Sequence, residues 1–315
     1  MKIAFHTHGL TLRGSEVALW DYARGARDML GAEVSLAFPW QPELERNPVY
    51  ALWSREFPCL AHRGRHDLGR RLRERGVEVL YQIKPGRDDG LVVPGVRNCI
   101  HAMFPAAEFH GEVYAYVSAW LSREMTGRRD RFVPHLVPRL VSSENLRVRL
   151  GIPAGARVFG RHGAVDTFNI PWVHRAVLRH ARQHPGDHFV FLNTEPFSGA
   201  PPANLHFLPA TPDREEKARF LATCDAMLHA RWHGETFGLA VGEFAALGKP
   251  VITFAGSRER AHLEMLGSRA VVYHTRTELE EVLASFRPHP APGTEYEKYA
   301  DRAVVMKMFQ EVFLS

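Results

Sequence analysis

At 315 residues the chain is long enough for two domains of ordinary size, and 45% hydrophobic with 24% charged residues is the composition of a soluble globular protein. No uncharged apolar run approaches the ~18 residues of a membrane span. Cys59, Cys99 and Cys224 are odd in number, far apart and without a C-x-x-C pair, which argues against a disulfide framework or a cysteine zinc site. The net charge of +5 suits an anionic ligand, a nucleic acid or a membrane surface and separates none of them.

Lys2 to Thr7 reads as a first strand directly after the N-terminus, with His6 and His8 interrupting any signal-like apolar run. A reducing, cytoplasmic location is therefore expected. Gly9 to Ser15 is a loop, and Glu16 to Leu30 a helix with Val17, Leu19, Trp20 and Ala23 on its inner side. Gly9-x4-Gly14 is not G-x-G-x-x-G, which argues against a nicotinamide enzyme. Glu33 to Phe38 is a second strand, Asp67 to Arg75 a basic helix, and Val77 to Ile83 a third strand. Arg65, Arg70, Arg71, Arg73 and Arg75 fit a solvated helix face, with an acceptor site as the alternative. Strands follow at Arg97 to His101 and Val113 to Ser118.

The strand-helix series then restarts. Arg157 to Gly160 is a strand, and Ile170 to His184 a helix with Asn169 as N-cap and Pro171 in its first turn. His188 to Asn193 and Asn204 to Leu208 are strands, and Asp213 to Ala222 is a helix. Ala226 to Ala230 is a short buried strand, Arg231 to Glu235 a loop, Thr236 to Leu247 a helix stopped by Gly248 and Pro250, and Val251 to Phe254 the next strand. This is a βαβ unit, which implies a parallel sheet. Tyr296 to Phe313 is amphipathic.

Two carboxylates mark that unit, Glu235 at the helix mouth and Glu243 within it. Eight residues at ~1.5 Å each set them roughly 12 Å apart along the axis. The first-turn amides of Thr236, Phe237 and Gly238 would be unpaired donors at the positive end of the helix dipole, which attracts phosphate. A nucleotide sugar suits this spacing: sugar hydroxyls on Glu235, phosphate on the amides, ribose hydroxyls on Glu243. The plainer alternative makes Glu235 a first-turn helix carboxylate and Glu243 a solvated one.

Glu235 and Glu243 with seven residues between them, Phe237-Gly238 after the first, and Ala245-x-x-Gly248-x-Pro250-Val251 after the second resemble the GT-B-fold glycosyltransferases of the large retaining family (glycosyl transferase group 1 type). Gly151-Ile-Pro153 is similar to that family's entry into its second domain. The resemblance implies an α/β fold of two Rossmann-like domains facing each other across a cleft. Residues 1–141 would form the acceptor domain, with helix 296–315 packing back on it, and 142–295 the nucleotide-sugar donor domain. It implies a hexosyltransferase that moves a sugar with retention from a UDP- or GDP-sugar to an acceptor hydroxyl, needing no further cofactor. The acceptor stays open among glycan, lipid, small molecule and nucleic acid. Glu235, His101 and Arg161 take the catalytic positions; Gly14, Arg161, Glu235, Thr236, Phe237, Gly238 and Glu243 bind the donor. His101 also reads as a structural residue at a strand end, and Arg161 as a surface loop arginine.

Three positions depart from the family pattern. Ala230-Arg231 stands where Pro-Ser is common, Thr236 replaces a glycine, and Asp166 occupies the place of a lysine that steadies the leaving group. His162, Thr167 and Arg231 are the candidates to compensate. The chain has no Asp-x-Asp; Asp88-Asp89 is the nearest approach, so transfer without a metal is expected. Ser-His-Asp, H-E-x-x-H, Walker and G-x-S-x-G patterns are absent. A nucleotide-sugar epimerase and a non-catalytic sugar- or nucleic-acid-binding protein on the same scaffold are the competing readings.

Overall fold

The structure is a computed structural model that describes residues 1–11 and 13–315. It divides into two compact units, Met1–Leu136 with Asp301–Ser315, and Val137–Ala300.

The first unit is built on β1 (Lys2–His6), β2 (Glu33–Pro39), β3 (Cys59–His62), β4 (Val79–Lys84), β5 (Arg97–Ala102) and β6 (Val113–Tyr116). These lie in the order β3-β2-β1-β4-β5-β6, every pair parallel. β4 is buried along its whole length, as expected of a strand covered on both faces. The helices are α1 (Gly14–Leu30), α2 (Pro48–Trp53), α3 (Arg65–Glu74) and α4 (Ala119–Thr126). The last helix of the chain, α10 (Arg302–Phe309), returns to this unit. It packs on α1 at Gly25, where a Cβ would lie 2.3 Å from the sulfur of Met306. Phe309 and Phe313 then close against Phe5, Tyr22 and Tyr81.

The second unit repeats the plan. β7 (Arg157–Arg161), β8 (Asp187–Leu192), β9 (Leu205–Leu208), β10 (Ala226–His229), β12 (Val251–Phe254) and β14 (Ala270–Tyr273) form a parallel sheet in the order β14-β12-β10-β7-β8-β9. A two-residue ribbon pairs β11 (Gly234–Glu235) with β13 (Glu259–Arg260). The helices are α5 (Pro171–Gln183), α6 (Arg214–Thr223), α7 (Leu239–Ala246), α8 (Ala261–Leu266) and α9 (Arg276–Ser285). Phe159, Phe189, Leu228, Ile252 and Tyr273 on the strands meet Val173, Val177, Leu279 and Leu283 on α5 and α9 in one core.

Several local expectations change. β3 and β14, four residues each, each add an edge strand to a sheet beyond the strands expected. Asn169 does not cap α5; its Oδ1 accepts the Trp232 amide at 2.9 Å instead, and Ile170 is the N-cap. α7 begins at Leu239, three residues later than expected, because Gly238 takes a left-handed conformation, φ +86°. A Cβ there would lie 3.0 Å from the Tyr296 hydroxyl and 3.1 Å from the Glu235 side chain, so only glycine makes this bend comfortably.

Candidate functional site

In the second unit the strand order reverses between β7 and β10, and the chain leaves both strands there at their C-terminal ends. Open parallel sheets bind ligands at such a switch point. The residues that follow β10 carry Glu235, and α7 leads away from it.

Glu235 is held at two points. His229 Nε2 lies 3.2 Å from Oε1, and Arg231 Nη1 donates to Oε2 at 2.7 Å. Burial pushes this carboxyl up, but Arg231 and then His229 outweigh it, and Glu235 sits at about 2. It is therefore a fixed anion at neutral pH. The strand that carries it approaches β13 through Gly234, where a Cβ would meet the Glu259 carbonyl oxygen at 1.9 Å.

After Glu235 the chain turns through Thr236, Phe237 and Gly238 into α7. Thr236 and Phe237 are buried, and the Phe237 carbonyl accepts the Tyr296 hydroxyl. The first intrahelical bond runs from the Gly242 amide to the Gly238 carbonyl at 2.9 Å. The leading amides of the helix are thus those of Leu239, Ala240 and Val241, not of Thr236 to Gly238. Leu239 and Ala240 are half-buried, so the mouth opens to solvent.

Glu243 is fully buried rather than solvated. Lys217 on α6 donates to Oε1 at 2.5 Å, and His162 Nε2 lies 2.9 Å from Oε2. Burial raises this carboxyl, but Lys217 and His162 overcome it and hold it at about 2. Lys217 keeps 20% of its side chain exposed. Nothing local in the sequence announces Lys217, which lies 26 residues before its partner. The topology that sets α6 beside α7 brings them together.

Arg161 and His101 stand differently from expectation. Arg161 is 3% exposed, and its two terminal nitrogens donate to the Asn193 carbonyl, Thr194 hydroxyl, Ala164 carbonyl and Thr167 hydroxyl. Only Nε–H of its five donors is left, so a bidentate pyrophosphate contact would require breaking these bonds. Burial lowers this group to about 10. Arg161 ties the loop after β7 to the turn after β8. His101, in the first unit, is wholly buried; Tyr81 lies 2.5 Å from Nδ1 and the Val133 carbonyl 2.9 Å from Nε2. Burial lowers its ring to about 4. It is a satisfied core histidine, not one open to a substrate.

Gly14 opens α1, and a Cβ there would meet nothing within 4 Å. The first turn of that helix already carries a carboxyl group: Glu16 accepts the hydroxyls of Thr7, Thr11 and Ser15 at 3.1, 2.9 and 2.8 Å. Among the described residues one group could share an ion, Asp88, Asp89 and His110 in the first unit. Asp89 is already committed to Lys84 at 2.5 Å and His8 at 3.0 Å. Among the described residues no helix is long and apolar enough to cross a membrane.

No protein-family model matches the chain, and no curated protein matches it. Its likeness to solved structures spans the whole length. HepE of Anabaena, in complex with UDP and glucose, superposes with a TM-score of 0.71 at 15% identity over 100% of both chains. WaaG, a glycosyltransferase of lipopolysaccharide biosynthesis, gives 0.60 at 14% identity over 99% of this chain and 96% of its own. The UDP-GlcNAc 2-epimerase of Neisseria meningitidis gives 0.60 at 12% identity over 99% and 100%. The chain therefore has the GT-B glycosyltransferase fold, an α/β architecture on two parallel six-stranded sheets.

Proposed function

We propose that this protein is a metal-independent, retaining glycosyltransferase that takes a sugar from a UDP-sugar and delivers it to an acceptor hydroxyl. One observation carries the reading: two ionised carboxylates, half-buried Glu235 and fully buried Glu243, bracket the half-open mouth of α7 at the switch point of the second sheet. Glu235 accepts hydroxyls of the transferred sugar through lone pairs that His229 and Arg231 leave unused. The leading amides of α7 receive the diphosphate, where a helix dipole favours negative charge. Glu243 receives the ribose hydroxyls once Lys217 moves off Oε1, and the released ammonium is then free to meet the phosphate. Arg231 and Lys217 replace Arg161 and the absent lysine at position 166 as the cations that stabilise charge developing on the leaving group. The likeness to HepE, solved with UDP-glucose, supports UDP as the carrier.

Retention follows if the leaving phosphate itself takes the acceptor proton on the same face of the sugar, a route that needs no protein base. Epimerisation of the donor is the second reading, supported by the likeness to the UDP-GlcNAc 2-epimerase. Calorimetric titration tests the division of labour. Glu235→Ala should keep its affinity for UDP and lose affinity for UDP-glucose, whereas Glu243→Ala should lose both. Equal losses for UDP in the two variants refute the assignment. Turnover of UDP-GlcNAc to its epimer without an acceptor favours the second reading.

A further inference from the structure

β12 reads Val251-Ile252-Thr253-Phe254, a buried strand whose one polar side chain is Thr253. Its hydroxyl lies 2.8 Å from His229 Nδ1 and 3.1 Å from His262 Nε2. Because His229 Nε2 stands against Glu235, a continuous chain of polar contacts runs from the core to the site: His262, Thr253, His229, Glu235. Thr253 and His262 are fully buried and His229 nearly so. Arg231 holds the other oxygen of Glu235, and the Tyr273 hydroxyl donates to the His229 carbonyl at 3.0 Å.

We infer that Thr253 and His262 are positioning residues for Glu235, acting through the ring of His229. The functional half of this inference rests on the glycosyltransferase reading above; the proton arrangement does not. Glu235 is an anion and can only accept, so His229 Nε2 must carry a hydrogen. A neutral His229 then presents a bare Nδ1, to which Thr253 gives its single hydroxyl proton. The Thr253 oxygen accepts in turn from Nε2–H of His262, and the chain ends at His262 Nδ1 as a bare, unpartnered lone pair in the core. The opposite arrangement would place a cation on His229 and an orphaned N–H on His262. Buried orphaned donors are rarer than under-used acceptors, and burial, the largest cause, lowers the His262 ring and keeps it neutral. Glu235 thus fixes the His229 proton on Nε2, and the Thr253 hydroxyl, donating to the opposite nitrogen, holds the ring so that Nε2–H points at Glu235.

Thr253→Val keeps the shape of the side chain and removes the proton. Nitrogen-15 spectra of the histidine rings of the free protein should show His229 protonated at Nε2 alone in the wild type, in Thr253→Ser and in Thr253→Val, with the bare Nδ1 resonance displaced only in Thr253→Val, where its hydroxyl partner is gone. Affinity for UDP-glucose should fall about tenfold in Thr253→Val, the loss of one hydrogen bond to a charged group, while affinity for UDP changes less than twofold. Thr253→Ser should restore it. In His229→Gln, whose amide donates without help from residue 253, adding Thr253→Val should cost nothing more. A wild-type ring protonated at Nδ1, unchanged spectra in Thr253→Val, or equal losses for UDP and UDP-glucose would each overturn the inference. Should the wild type bind neither nucleotide, the glycosyltransferase reading fails, and the ring spectra still decide the proton arrangement.

Discussion

Lys217→Met removes the ammonium that donates to Glu243 Oε1 at 2.5 Å and leaves a wholly buried carboxylate with His162 as its remaining partner. Holding that carboxyl at about 2 instead of 4.5 contributes about 3 kcal/mol at neutral pH. Breaking a buried pair from one side costs roughly 3–5 kcal/mol by an independent route. Lys217 leads the groups that lower Glu243, ahead of His162, so we expect a loss of roughly 2–3 kcal/mol. The folded carboxyl is depressed, so its contribution is complete above its ordinary value of 4.5. It fades as pH falls toward the folded value of about 2. Urea titrations followed by circular dichroism at pH 7, 5 and 3 should therefore show the two proteins well separated at pH 7 and 5 and converging at pH 3. Equal stability at pH 7, or a gap that does not shrink between pH 5 and pH 3, would refute the electrostatic account of Glu243.

Gly234→Ala should be far more damaging than Gly248→Ala, although both glycines have positive φ, +76° and +67°. The first Cβ would strike the Glu259 carbonyl at 1.9 Å whereas the second meets open space, so thermal unfolding should show only the ~1–2 kcal/mol of left-handed strain at Gly248. Similar melting temperatures for the two variants would mean that β11 and β13 are not pressed together as described. Sugar transfer should survive excess EDTA with little loss. Abolition by EDTA and rescue by Mg²⁺ or Mn²⁺ would point to an acidic site, with Asp88, Asp89 and His110 the first place to look.

Where information is local, the sequence was readable. Gly248 and Pro250 stop α7 and Val251–Phe254 forms β12 as expected, because an apolar run between two breakers has few other options. The start of α7 was not readable, since the backbone twist of Gly238 depends on Tyr296 and the Glu235 side chain crowding it from outside. Asn169 looks like an N-cap, yet a distant amide, that of Trp232, claims its oxygen. Glu235 and Glu243 stand out by spacing, but what makes each of them an anion does not. Lys217 and His162 reach Glu243 only through the sheet order, and His229, six residues before Glu235, turns back on it only through the path of the intervening loop. Arg161 and His101 illustrate the reverse: the right residue type at the right strand end, already satisfied by neighbours that no pattern reveals.

The return of residues 301–315 to the first unit has a bearing on how the chain is made. Phe5, Tyr22 and Tyr81 have their covering rings, Phe309 and Phe313, more than two hundred residues downstream, and Gly25 leaves the groove into which Met306 fits. During synthesis the first unit to emerge is thus the last that can be finished. The second unit, continuous from Val137 to Ala300, can close while its predecessor still waits with an aromatic face uncovered. Domains usually fold in order of emergence, and exposed apolar surface invites aggregation. Here the vulnerable interval lasts until the ribosome has delivered α10, and substitutions at Gly25 or Met306 would lengthen it without touching any residue of the site.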